Sequence, residues 1–190
     1  MKKYFLILCI LFSTIEIYAQ NNNVKPFEVE LGLGISKGGK FNNTSSKAGL
    51  SLFVEPRYNF KNTPFDLGLQ ISLASFDRDG QIIKTHKYNE HIMPRTITVY
   101  GDYNFRKWDK LSLFGGLGVG YSQIAYQYET DDKTYFDRDS GRKYKPVFSA
   151  RIGTEVINHI RLTFDYKLIN KQYSFFGITI GAVIGGGKSL

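Results

Sequence analysis

From Phe27 onward, apolar and polar residues alternate with a period of two, and the pattern recurs in eight segments. In Phe27–Ser36, Phe27, Val29, Leu31, Leu33 and Ile35 share one face, and Glu28, Glu30, Gly32, Gly34 and Ser36 share the other. The same alternation predicts strands over Gly49–Phe60, Phe65–Phe76, Arg95–Arg106, Leu111 to about Tyr128, and Val147–Glu155. Two more carry Leu162, Phe164, Tyr166 and Leu168, then Phe176, Ile178, Ile180 and Ile184, on their apolar faces. Pro146 is expected at the first residues of its strand, where a missing N–H is tolerated.

The connections differ in length in a regular order. Short turns are predicted near Lys61–Pro64, Lys107–Lys110 and Ile157–Ile160. Between them fall the polar stretches Lys37–Ala48, Asp77–Pro94 and Glu129–Tyr144, read as loops, and a brief connection at Asn170–Ser174. This asymmetry predicts an eight-stranded antiparallel transmembrane up-and-down β-barrel with both termini on the short-turn side. A soluble barrel with an apolar lumen would show the same periodicity. The membrane version is favoured by three features: charges in mid-strand on the polar face, an apolar face nearly free of charge, and aromatic strand ends. Those ends are Tyr58-Asn59-Phe60 and Tyr103-Asn104-Phe105, where an interfacial girdle belongs.

At the N-terminus, Lys2 and Lys3 precede the apolar run Tyr4–Phe12 and then Ile17-Tyr18-Ala19-Gln20, the pattern of a secretory signal peptide cleaved after Ala19. The expected organisation is thus a cleaved segment 1–19, a periplasmic segment 20–26, a barrel over 27–184 and a tail 185–190. Cys9 is the only cysteine and lies in the cleaved segment, so the mature chain is expected to have no thiol chemistry. Cleavage removes two lysines and one glutamate, which takes the formal charge from +8 to +7. On an exported chain, that charge points to anionic lipid and phosphorylated glycolipid rather than to nucleic acid.

The chain resembles the small eight-stranded outer-membrane barrels of the OmpA/OmpX type, and more closely the outer membrane protein beta-barrel domain family, which includes PorT-like proteins. The resemblance rests on Ile17-Tyr18-Ala19-Gln20, the Tyr-Asn-Phe strand ends, Gly115-Gly116-Leu117-Gly118-Val119-Gly120-Tyr121, and Phe176-Gly177-Ile178-Thr179-Ile180-Gly181. It implies an outer-membrane location and specifies a fold more than an activity.

Candidate chemistry is sparse. Gly186-Gly187-Lys188-Ser189 suggests a phosphate loop, but Ala182 stands where that motif needs glycine and no helix can follow. His86, His91 and His159 fall in predicted connections, without the His-x-Ser pairing seen in deacylase barrels. His86, Glu90 and His91 match no zinc spacing. Phe76-Asp77-Arg78-Asp79 recurs as Phe136-Asp137-Arg138-Asp139 and is read as a solvated turn rather than a calcium loop. No catalytic residue, cofactor or metal site is assigned.

The most heavily charged group is the lumen set. Strand phase turns Glu28, Glu30, Glu55, Asp66, Asp102, Glu155 and Asp165 inward, together with Arg57, Arg106, Arg151, Arg161 and Lys167. The interior of an eight-stranded barrel is just wide enough for side chains, so these charges are expected to pair and close it. Arg57 is placed near Asp66 across the first short turn, so that Arg57 or Asn59 should approach Asp66 or Gly68 on the same face, and Phe53, Tyr100, Phe114 and Phe175 share the same interior. The expected function is non-enzymatic: a structural, surface-interaction or adhesion role exercised by a monomer. Its expected partners are outer-membrane lipid and glycolipid, with an envelope or host-surface protein as a further partner. The alternatives are a narrow channel and a lipid-modifying enzyme.

Overall fold

The computed structural model describes residues 25–40, 44–61, 63–83, 86–107, 111–130, 138–157 and 159–185. The strand segments are β1 (Phe27–Gly38), β2 (Ala48–Asn59), β3 (Phe65–Ala74), β4 (Phe76–Ile83), β5 (His86–Lys107), β6 (Leu111–Thr130), β7 (Arg138–Val156), β8 (Ile160–Leu168) and β9 (Phe175–Ile184). β3 and β4 lie end to end along β5, so the nine segments make eight staves. Neighbours pair antiparallel in the order β3-β2-β1-β9-β8-β7-β6-β5, and β5 returns to β3 to close the barrel. The expected signal segment and the Gly186–Ser189 run lie outside the described residues.

Closure carries a fixed stagger. A row of paired residues starting at Lys37 passes through Phe176, Tyr166, Ala150, Leu117, Gly101, Leu67 and Tyr58 and returns to β1 at Phe27, ten residues lower. Such shear tilts the strands by roughly 35–45° and leaves an interior that side chains can fill.

The phase of the alternation decides what faces where. Leu33, Leu52, Leu117 and Ile152 are more than half exposed on the outer face, whereas Glu30, Glu55, Arg57 and Thr98 are buried inside. An apolar exterior over a polar interior is inside out relative to a water-soluble barrel and is favourable only where lipid replaces water. At the short-turn end, Phe27 meets Tyr58 and Tyr58 meets Phe60, each with ring centroids 5.0 Å apart. Phe65, Tyr103 and Phe105 form a matching edge-on series at 5.3 and 5.2 Å. These two trios form the aromatic girdle.

At the opposite end the structure departs from the sequence expectation. Asp77–Pro94, read as a loop, is mostly β4 and the first part of β5; Glu129–Tyr144, also read as a loop, contributes the end of β6 and the start of β7. Four strands therefore project as a sheet beyond β8, β9, β1 and β2. The physical reason is that alternation continues there with inverted polarity. Phe76, Ile92 and Ile124 point inward and are buried, while Asp77, His91 and Gln123 on the other face are partly exposed. Beyond the lipid, the outer face must meet water.

Two prolines mark this change. Pro146 lies well inside β7 opposite Tyr121, not at the strand's start. It is tolerated because β7 has no β8 partner at that height, the pairing beginning only at Phe148 and Leu168. Pro94 lies opposite the junction between Ala74 and Phe76, where the missing N–H interrupts the ladder and divides the stave into β3 and β4.

Candidate functional site

The inner face of the staves builds a charge ladder from cross-strand neighbours. β1 and β2 set Glu28 opposite Arg57 and Glu30 opposite Glu55. Two carboxylates directly opposite each other repel, so the register is stable only with cations between them. Arg57 supplies one, with guanidinium nitrogens at 2.5 Å from Glu28 and Glu30 and 3.1 Å from Glu55. From β7, Arg151 donates to both Glu55 oxygens at 2.6 and 2.7 Å, and to both Asp102 oxygens at 2.9 and 2.8 Å. Such paired forks combine charge with fixed geometry. Arg161 reaches Asp102 at 3.1 Å and lies 3.5 Å above the Phe114 ring, as Arg151 lies 3.7 Å above Tyr100.

Glycine makes the room. A Cβ on Gly116 would stand 1.9 Å from an Asp102 oxygen, and one on Gly181 would stand 2.2 Å from Glu30. One level further from the short-turn end, Lys167 donates to Asp165 at 2.6 Å and to Gln70 at 3.0 Å, and Gln70 donates onward to Glu55. Ten of the twelve residues placed inward by strand phase are buried side chains of this interior: Glu28, Glu30, Glu55, Arg57, Asp66, Asp102, Arg151, Arg161, Asp165 and Lys167. Glu155, next to Arg161 in the register, is half-buried at the short-turn rim. The Arg106 side chain lies outside the described residues. A register shift between Asn104 and Arg106 pairs Arg106 with Leu113 along the backbone.

Across the hairpin Arg57 faces Gly68 and Asn59 faces Asp66, the expected pairing of these four positions, but Arg57 forms no ion pair with Asp66. Arg57 turns instead to the three glutamates, because Glu28 is its direct neighbour on the other side. Asp66 accepts a hydrogen bond from the Asn104 amide at 2.5 Å.

Above the ladder comes a layer of hydroxyls, including Ser72 bonded to Thr96 at 2.5 Å and Tyr100 donating to Ser149 at 2.6 Å. A cavity of about 20 Å³ bordered by Gln70, Ser72, Lys167 and Phe175 remains there, which is room for a water or two. The far mouth is then closed by carbon. Ala74, Phe76, Ile92, Ile124, Tyr173 and Phe175 form one buried cluster.

On top of that cluster lies a fully buried ion pair, Arg78 with Glu90 at 2.9 Å. Arg78 also donates to the Gln172 carbonyl at 2.8 Å, and Tyr128 donates its hydroxyl to Glu90 at 2.9 Å. Burial and then the Glu90 carboxylate push the Tyr128 phenol above its ordinary range. The β8–β9 turn is held over this mouth by Asn170, whose side-chain oxygen accepts from the N–H groups of Gln172 and Tyr173.

The reading of Phe76-Asp77-Arg78-Asp79 as a solvated turn is therefore corrected. It is strand β4, with Phe76 and Arg78 buried and only the two aspartates outward. His91 is not a loop residue either, since it lies on β5 and bonds Asp77 across to β4. Glu90 and His91 point to opposite faces and cannot converge on one metal. Among the described residues no cluster of three or more candidate metal ligands occurs.

Comparison with known proteins bears on the fold. The family described as outer membrane protein beta-barrel domain matches residues 5–184. No curated protein matches the chain. Ail, the attachment invasion locus protein of Yersinia pestis, solved in complex with the heparin analogue sucrose octasulfate, is 17% identical; the match covers 84% of this chain and 99% of that one, with a TM-score of 0.48. Neisserial surface protein A is 11% identical over 85% of this chain and 98% of that one, with a TM-score of 0.49. The N-terminal barrel of Pseudomonas aeruginosa OprF is 12% identical over 87% and 100%, with a TM-score of 0.42.

Proposed function

This chain belongs to the outer membrane protein beta-barrel domain family and resides in the outer membrane, and we propose that it works there as a non-conducting, non-enzymatic monomer whose active surface is the sheet projecting outside the cell. The observation that carries this reading is the double closure of the lumen. The charge ladder fills the periplasmic half, and the cluster of Phe76, Ile92, Ile124 and Phe175 fills the outer mouth. What remains available for function is the outside.

The projecting part of β4, β5, β6 and β7 presents Asp77, His91, Gln127, Asn89 and Glu129 on its outer face, a polar surface suited to another envelope protein or a host-surface protein. A monomer is supported by the open edge of β7, where Arg142, Lys143, Lys145 and Pro146 discourage edge-to-edge pairing. A non-enzymatic role is supported by the two histidines with described side chains. His91 bonds Asp77 and His159 bonds the Val183 carbonyl, and among the described residues neither is hydrogen-bonded to a serine, threonine or tyrosine hydroxyl that it could activate.

The test is planar-bilayer recording on the purified monomer, followed by recovery of envelope partners with and without the β4–β5 hairpin. The expected result is no stable conductance and a partner lost with the hairpin. Sustained channels would establish the conduit reading in its place.

A further inference from the structure

The outer rim has a high side and a low side, and the low side is basic. From Arg138 to Val147, β7 has β6 on one flank and, among the described residues, no strand on the other, because its pairing with β8 starts only at Phe148. The gap is bordered by the β8–β9 turn and the end of β1, which Gly39 joins to Ser174 through a 3.0 Å backbone hydrogen bond. Lys143 spans it, donating to the Tyr173 hydroxyl at 3.2 Å and lying over the Tyr126 ring.

Around this notch stand Lys37 on the outer face of β1, Lys40 and Lys171 in the bordering connections, and Lys145 on the inner phase of β7 beside its open edge, all exposed. None has an ion-pair partner among the described residues. The buried carboxylate nearest Lys37 in the register, Asp165, is already held by Lys167. The height is also informative: Lys37 follows Ile35 on the lipid-facing side of β1 and pairs with the exposed Phe176, at the upper limit of the apolar belt. That is the level of the outer-leaflet headgroups.

We propose that this notch is a lateral binding site for a phosphorylated glycolipid headgroup of the outer leaflet. Acyl chains lie along the apolar face below Lys37, the headgroup phosphate meets the lysines, and the unladdered edge of β7 offers backbone N–H groups to the sugar. The lipid enters sideways from the membrane, because no described strand blocks that direction. This assignment is independent of any protein partner on the projecting sheet.

The test uses the full-length folded barrel in phosphatidylcholine nanodiscs, with lipid A carrying both phosphates as the probe. The variants are Lys145→Gln with Lys171→Gln, then the same pair combined with Lys37→Gln and Lys40→Gln; Lys61→Gln in a periplasmic turn is the control. Boiled and unboiled electrophoresis confirms folding of each. Bound lipid counted by native mass spectrometry should be retained by wild type and by Lys61→Gln. The fourfold variant should bind at least about tenfold more weakly, in line with the contribution of lysines at a charged lipid surface. Wild-type binding should weaken with salt. Equal binding by the fourfold variant would overturn the site. Equal binding of dephosphorylated lipid A would overturn the phosphate. Equal retention of phosphatidylglycerol would reduce the notch to diffuse charge, and inorganic phosphate binding alone as tightly would make it a free-anion site; either result overturns the glycolipid assignment.

Discussion

The two ends of the lumen are closed by opposite chemistry. In the periplasmic half, three arginines and four carboxylates interlock, each guanidinium serving more than one acid. At the outer mouth, six carbon-rich side chains pack together beneath a single buried ion pair. The difference follows from what surrounds each end. Within the lipid the outer face must be apolar, so the polar half of the alternation is forced inward, where it must satisfy itself. Beyond the lipid the outer face must be polar, so carbon turns inward and packs as in a soluble core. A single closed sheet thus contains a membrane barrel below and a water-soluble half-barrel above.

The largest effect should come from the ladder. Arg151→Ala leaves Glu55 and Asp102 without their shared fork, and stranding buried charge typically costs about 3–5 kcal/mol. Urea unfolding of the refolded barrel should show a loss at or above that range. Replacing Glu55 and Asp102 by glutamine and asparagine in the same background should restore part of it. If Arg151→Ala unfolds like wild type, the ladder is not a structural element.

The outer mouth should respond next. Phe76→Ala opens a cavity, for which buried Phe→Ala changes cost about 3–5 kcal/mol, lessened here by collapse of the neighbouring turn. The same variant should still give no conductance, because the ladder below remains closed. A stable channel from Phe76→Ala would mean that the outer cluster alone seals the barrel, and the comparison between the two ends would fail.

The ladder's wiring gives a finer test. Arg57 bonds Glu28 directly, whereas Asp66 bonds Asn104. Arg57→Ala with Glu28→Gln should therefore be non-additive by roughly 0.5–3 kcal/mol, while Arg57→Ala with Asp66→Asn should add more nearly independently. Strong coupling in the second cycle would restore the cross-hairpin contact that the register denies.

These two ends also separate what was legible in the sequence from what was not. Within the membrane, the alternation of Leu31 with Glu30, or of Leu67 with Asp66, fixes the inward face, and burial follows from phase. Above the membrane that rule points the wrong way. His91-Ile92-Met93 still alternates in direction, yet its outward face mixes polar His91 with apolar Met93, and a reading tuned to a lipid face takes the segment for loop. The recurring Phe76-Asp77-Arg78-Asp79 was the available signal, since a large aromatic and an arginine two positions apart share one face of a strand. Which acid Arg57 would choose was not legible, because strand phase gives the face but the partner depends on the neighbour across β1. Nor could phase anticipate the shift between Asn104 and Arg106, a bulge that changes register without changing composition.

The smallest expected effect lies in the polar lid of the outer mouth. Tyr128 donates its hydroxyl to Glu90, which is also held by Arg78 and approached by the Gln172 amide at 3.2 Å. Tyr128→Phe removes one donor and leaves the carboxylate two others, so the loss should be about 1 kcal/mol, near the usual value for one hydrogen bond. The pH dependence has a definite sign. Burial and Glu90 raise the phenol's folded pKa above the ordinary tyrosine value of 10.0, so the folded state favours the proton. The stabilisation is fully present below the unfolded pKa and is lost as pH rises past about 10 toward the folded one. Wild type should lose stability across that alkaline window more steeply than Tyr128→Phe, read as the difference in their urea midpoints at neutral and alkaline pH. Parallel midpoints would show that the hydroxyl does not hold Glu90, leaving Arg78 and the apolar cluster as the whole of the outer seal.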